Sequence, residues 1–288
     1  MSDAARGRGG ALDDGLFARD SIFRRVNREA VLLLGGQRAL LLQLAHPLVA
    51  AGVADHSDFL AHPLRRLWRT VDTMLRIVHG DRATAEAAAR ALDAVHARVQ
   101  GTLADGTAAF PAGTPYRAHD PALLLWVHAT LVDSALVTYE CFVRPLAADE
   151  RERFYAESQI VARLLGVPED RLPGSCGAFA RYVEETITGR ALDPMPTARR
   201  LADAILHPPL AFLPRLVGDV GAVVTLGLLP PLVRERYGLP WDAKRERGFA
   251  IARSVVRAVL PVLPDVLRAM PQARRAERLR ARPRASGA

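Results

Sequence analysis

Eight histidines are spread over this 288-residue chain, and one of them stands where helical spacing asks for an apolar side chain. Leu92, Val95, His96 and Val99 follow i, i+3, i+4, i+7, so His96 is expected to point with the buried stripe of a helix. A buried imidazole needs a partner, and a metal ion or a haem iron is one such partner. Upstream, Arg66, Arg69 and Thr70 share one helical face at i, i+3, i+4. Arg65-Arg66 in isolation reads as a solvated charge cluster, but Trp68, Leu64 and Leu67 beside it predict a partly buried helix. His46, His56 and His128 also lie in or beside apolar helical segments. For any one of them, a core histidine bonded to a carbonyl or carboxylate is the commoner outcome. Trp126, Thr130, Asp133, Val137 and Glu140 align on a further helical face. Asp133 and Glu140 read as carboxylates bonded to arginines in preference to anchors that orient a histidine.

Other chemistries drop out. No G-x-G-x-x-G follows a strand pattern, and the single lysine, Lys244, leaves no phosphate-binding P-loop. H-E-x-x-H and G-x-S-x-G are missing, as is the paired Glu-x-x-His of di-iron bundles. Cys141 and Cys176 form neither a disulfide framework nor a zinc site, and without C-x-x-C-H there is no covalent haem attachment. The two cysteines suit a reducing compartment, and a cytoplasmic location is the expectation.

The elements that must position these residues are helices. Expected spans are roughly 21–34 (capped by Asp20 and broken by Gly35-Gly36), 37–45, 63–79, 83–100, 120–144, 148–165, 176–189, 197–206, 219–236 and 242–270. Asp120-Pro121 is a strong start signal, an N-cap followed by proline at the first helical position. No strand alternation or internal repeat stands out. The expected fold class is therefore all-α, an irregular multi-helix bundle. Residues 1–19 are expected to be disordered, 20–265 to form one domain, and 266–288 to form a basic, partly disordered tail. The formal net charge is +8, and residues 273–288 alone carry +5, six arginines against Glu277. Nearly all the cations are arginine, which fits a coding bias better than phosphate recognition, so no nucleic-acid partner is expected. Residues 121–144 are long and apolar enough to suggest a membrane span, yet carry His128, Asp133, Glu140 and Arg144. A buried helix is the better reading, with no transmembrane segment. Arg24-Arg25 ahead of Val31–Leu34 faintly resembles an export signal, but Arg28 and Glu29 interrupt it.

An ordered set of segments adds a resemblance. Gly35-Gly36-Gln37-Arg38 through Ala45-His46-Pro47, Arg66-x-x-Arg69-Thr70, His96-x-x-Val99-x-Gly101, Tyr116-x-Ala118-x-Asp120-Pro121 and Trp126-Val127-His128-Ala129-Thr130 run in order through roughly residues 20–265. Together they resemble the family once called DUF2236, which includes MpaB-type oxygenases and rubber oxygenases of the latex clearing type. The resemblance implies an all-α fold enclosing a pocket for one non-covalent haem b. It implies that His96 is the proximal iron ligand, that Arg66 and Thr70 stand near the haem, and that His128 is a candidate distal or catalytic group. Arg69 falls where the rubber oxygenase has a distal lysine. Arginine stays charged and cannot act as a base, although it can pair with a haem propionate. The stretch Leu48–Gly52 lacks the carboxylate that the rubber oxygenase uses catalytically.

Haem needs an apolar slot, an axial ligand and cations for its propionates. Three readings follow. The first is a haem b oxygenase taking dioxygen and an apolar, isoprenoid-like substrate, with Arg69, Thr70 and His128 at the reacting side. The second is a haem-binding sensor or carrier without turnover. The third is a cofactor-free helical interaction protein. Oligomeric state is left open.

Overall fold

The structure, a computed structural model, describes residues 15–57, 63–207 and 215–281. Its helices in chain order are α1 (Ile22–Asn27), α2 (Leu33–Leu44), α3 (Pro47–His56), α4 (Pro63–His79), α5 (Arg82–His96), α6 (Pro121–Phe142) and α7 (Ala148–Leu164). They continue as α8 (Cys176–Thr188), α9 (Pro196–Leu206), α10 (Arg215–Leu228), α11 (Pro231–Tyr237), α12 (Ala243–Val259), α13 (Asp265–Arg268) and α14 (Pro271–Ala281). Short 3₁₀ turns lie at Ala30–Leu32, Glu169–Arg171 and Leu260–Val262. Among the described residues the fold is all-α apart from one small hairpin.

Starts are set where the sequence offers a side-chain oxygen to the free N–H groups of a first turn. Asp81 accepts from Thr84 at the head of α5, and Asp120 from Ala122 at the head of α6, each at under 3 Å. At α1 the cap is Ser21, not Asp20: its Oγ accepts from the Arg24 N–H at 3.0 Å. Pro47 opens α3 as its first residue, behind an extended His46.

The core is built around α2 and α6, which run antiparallel. Trp126 Nε1 donates to the Leu42 carbonyl (3.2 Å), and Gln43 Nε2 to Thr130 Oγ1 (3.0 Å). Arg38, 3% exposed, donates to Ser134 Oγ, to Asp133 Oδ2 (2.6 Å) and to the Leu228 carbonyl. Around this pair pack α7, α8, α10 and α12. Among the described residues α6 is the helix long and apolar enough to cross a membrane. Here it lies at the centre of the bundle, with Trp126, Ala129 and Phe142 almost fully buried.

Two differences from the expectation have physical reasons. Gly35-Gly36 does not break a helix: α2 runs straight through it, and the break comes earlier, at residues 28–32. Gly35 is there for close approach, because a Cβ would stand 2.1 Å from Thr138 Oγ1 on α6. Second, α5 stops at His96, and two short strands follow, β1 (Gln100–Thr102) and β2 (Pro115–Arg117). They are antiparallel, with Gly101 opposite Tyr116. At three residues each they have no alternation to read. Residues 265–281 carry α13 and α14, and Met270 and Ala273 are buried against Leu75 of α4.

Candidate functional site

The candidate residues are positioned by a helical hairpin. α4 and α5 run antiparallel about a tight turn at Gly80, where a Cβ would meet the Arg76 carbonyl at 2.4 Å. The small inner face of α5, Ala85, Ala88 and Ala89, is buried, which lets the two helices approach closely beside Ile77 and Val78. Antiparallel pairing brings residue 66 level with His96 and places Arg69 and Thr70 about one turn nearer the bend. The side chain of Arg66 lies outside the described residues. Arg69 is exposed and Thr70 half-buried. Next to them Trp68 is 55% exposed, so the face holding the arginines is wetter than its apolar neighbours suggest.

His96 closes α5 and is half-buried, not sealed in the core. Leu92, Val95 and Val99 along the same stripe are half-buried too. The His119 ring stands edge-on to it at 6.1 Å between centroids, and a hydrogen bond of 2.9 Å joins His119 Nε2 to Asp93 Oδ1. Spacing gave no sign of His119, because its partners lie more than twenty residues away across the hairpin. Tyr116 closes the other side: its hydroxyl donates to Asp55 Oδ2 at 2.6 Å, and its ring crosses Gly101 so closely that a Cβ there would meet the hydroxyl oxygen at 2.5 Å. Asp55, one turn beyond Leu48–Gly52, is the carboxylate that α3 does supply.

The other histidines divide by burial. His56 is exposed and bonded to the Gln100 carbonyl at 2.9 Å. His46, beside the Phe110 ring, and His128 are buried, with Nδ1 and Nε2 respectively lacking a partner. Burial lowers both to about 4, opposed at His46 by Asp120. His128 shares the face of α6 that carries Leu124 and Leu125, which pack on Ala162 and Val167. No hydrogen bond or ring contact joins it to His96, Arg69 or Thr70 among the described residues. His79, in the last turn of α4, was not singled out in the sequence. It is 4% exposed, and burial takes it to about 4, opposed by the Asn27 backbone and reinforced by Arg28. Its spacing from Val71 and Leu75 was the available signal. Asp133 pairs with Arg38, and Glu140 accepts from Arg151 at 2.6 and 2.7 Å, so both carboxylates are structural.

Residues 23–258 match the family described as the ER-bound oxygenase mpaB/B'/rubber oxygenase catalytic domain. The chain belongs to this family. Two uncharacterised proteins, one from Mycobacterium bovis and one from Mycobacterium tuberculosis, are each 29% identical to it over 237 residues, covering 78% of this chain and 87% of theirs. No solved structure matches significantly. In this oxygenase-family domain the shared-looking segments do two jobs. Gly35, Arg38 and Gln43 with Trp126 and Thr130 lock α2 onto α6. Val99, Gly101 and Tyr116 with Leu48 pack the end of α5 onto α3 and the hairpin. Arg69 is exposed, and Thr70 and His96 are half-buried.

Proposed function

We propose that this chain is a haem b-dependent oxygenase acting with dioxygen on an apolar, isoprenoid-like substrate, with His96 as the axial iron ligand. One observation carries the reading. Within an oxygenase-family domain, His96 stays half-buried on an apolar flank at the end of the hairpin that also presents Arg69 and Thr70. The donor set fits haem: a half-buried imidazole, half-buried Leu92, Val95 and Val99 for the macrocycle's edge, and the exposed Arg69 guanidinium for a propionate. Haem bound there would supply the dioxygen chemistry that no side chain of this chain can. The chain's own part is to hold iron through His96, to pair Arg66 and Arg69 with carboxylates, and to offer the Thr70 hydroxyl as a hydrogen-bond donor. A guanidinium offers donors and no acceptor, so Arg69 orients and neutralises. Cytoplasmic residence belongs to the same reading, from the two free cysteines.

Visible spectra of protein purified with haem supplied test the claim. A Soret band is expected in the wild type and its loss in His96→Ala; an unchanged band in that variant sinks the ligand assignment. Oxygen uptake with a reductant and a panel of apolar alkenes then tests turnover. Arg69 favours one second reading, a haem protein without turnover, because it replaces a residue able to give up a proton. A wild type with a Soret band, no uptake, and uptake gained in Arg69→Lys would establish that alternative.

A further inference from the structure

The C-terminal part of the fold carries an apolar face that the core does not cover. Along α12, Ile251, Val255 and Val259 recur at four-residue spacing and are 64%, 55% and 43% exposed. Val262 (77%), Val266 (55%) and Leu267 (63%) continue the exposed run into α13. A groove of about 430 Å³ opens along the same edge, between Val255, Val259 and Leu267 on one side and Ala30, Leu33 and Leu34 on the other. Single exposed aliphatics are ordinary, but six within seventeen residues, continued inward by an apolar groove, mark a contact surface.

Charge identifies what the surface meets. Residues 243–288 hold twelve arginines and lysines against three carboxylates, a net of +9, whereas the whole chain carries +8. The rest of the molecule is therefore close to neutral. Two of those carboxylates, Asp265 and Glu277, are already engaged by Arg28, and the third, Glu246, accepts from Trp241 Nε1. Arg253, Arg257, Arg275 and Arg278 enter no ion pair among the described residues. Arg274 Nη1 donates to the Val266 carbonyl at 3.1 Å, which fixes the arginines of α14 beside exposed Val266 and Leu267.

We propose that this face docks on an anionic lipid surface, its aliphatic side chains entering the acyl boundary and the flanking arginines meeting headgroup phosphates. A second copy on the same patch would set two strongly cationic surfaces against each other, which disfavours a symmetric dimer there.

Co-sedimentation of the full chain with phosphatidylcholine vesicles, with and without phosphatidylglycerol, tests it. Binding is expected to the phosphatidylglycerol vesicles, weakening as ionic strength rises from about 0.1 to about 0.5 M. The triple variant I251E/V255E/V259E is expected to bind about tenfold more weakly or worse, and R275E/R278E to lose the preference for phosphatidylglycerol. All five side chains are exposed, so circular dichroism should be unchanged in both variants. Equal binding by wild type and the triple variant overturns the proposal, as does no binding by the wild type. A concentration-dependent dimer that the triple variant abolishes, with no vesicle binding, assigns the face to a second copy instead. Capture of an acidic protein without vesicle binding overturns it in the same way.

Discussion

His96 and His128 both sit in helices among apolar neighbours, and burial treats them oppositely. His96 is half-buried at the end of α5. His128 is enclosed, with Nε2 unpartnered and its pKa pushed down to about 4 by burial. A histidine in that position is held as a neutral core residue carrying an unsatisfied nitrogen. Leaving such a group unpaired costs about 1–3 kcal/mol, whereas leucine fills similar space without a polar atom. His128→Leu is therefore expected to raise stability by about 1 kcal/mol in urea unfolding. The same variant is expected to leave the spectrum of the haem-supplied protein unchanged. A Soret shift in His128→Leu would instead place that side chain beside the ligand.

At the scale of elements, the α2–α6 contact explains the motif positions that look chemical but are structural. Arg38 makes three side-chain hydrogen bonds inside the bundle, one of them to Asp133. Arg38→Met removes all three and leaves the Asp133 carboxylate half-enclosed without its cation. A loss of about 3 kcal/mol in chemical unfolding is expected, since breaking one side of a buried pair strands the other charge. Gly35→Ala should cost about 2 kcal/mol, because the added methyl overlaps Thr138 Oγ1, more than offsetting the helix propensity of alanine. Thr138 Oγ1 is buried without a partner, so Thr138→Ala alone should be nearly neutral, and the double variant should recover most of the Gly35→Ala loss. Strict additivity in that double-mutant cycle would show that the two positions do not touch.

The same contact shows what was legible in the sequence. The 3.6-residue spacing of Leu123–Phe142, its Asp120-Pro121 start and the proline-opened α3 are local signals, and local signals translate directly into helices. The all-α class follows from them. Partners at long separation do not appear in any window: Gln43 meets Thr130 across 87 residues, and His96 meets His119 across the β-hairpin. That is why Gly35-Gly36 reads as a break, although Thr138 makes it a seam. The stripe containing His96 was visible, but its depth was not. Burial depends on what covers the far end of α5, which is set by α3 and a hairpin of two three-residue strands with no periodicity of its own.

For the whole molecule, the groups with displaced proton affinities define a pH window. His46, His79 and His128 are each taken from the ordinary 6.5 to about 4 by burial. Their folded-state affinity is lower than in the unfolded chain, so protons favour unfolding. Stability from keeping them neutral is fully present above 6.5 and is lost as pH falls from 6.5 toward 4. Each contributes up to about 1.4 kcal/mol per pH unit in that interval, about 3 kcal/mol at full titration. On the alkaline side burial raises Tyr182 to about 12 and pushes Tyr237 up as well, so the unfolded chain loses those protons first and stability falls above about 10. Glu150 is held low by Arg144 and Arg25, and its pairing fails at more acid pH than the histidine limb. The melting temperature should therefore be flat from about pH 7 to 10 and drop between 6.5 and 4, ahead of carboxylate protonation. His79 offers a test away from the α2–α6 seam, since it lies in the last turn of α4. In His79→Leu the acid limb should be shallower by about one bound proton, with the neutral-pH plateau at or above that of the wild type. An acid limb of unchanged slope in that variant would assign acid unfolding to the carboxylates alone.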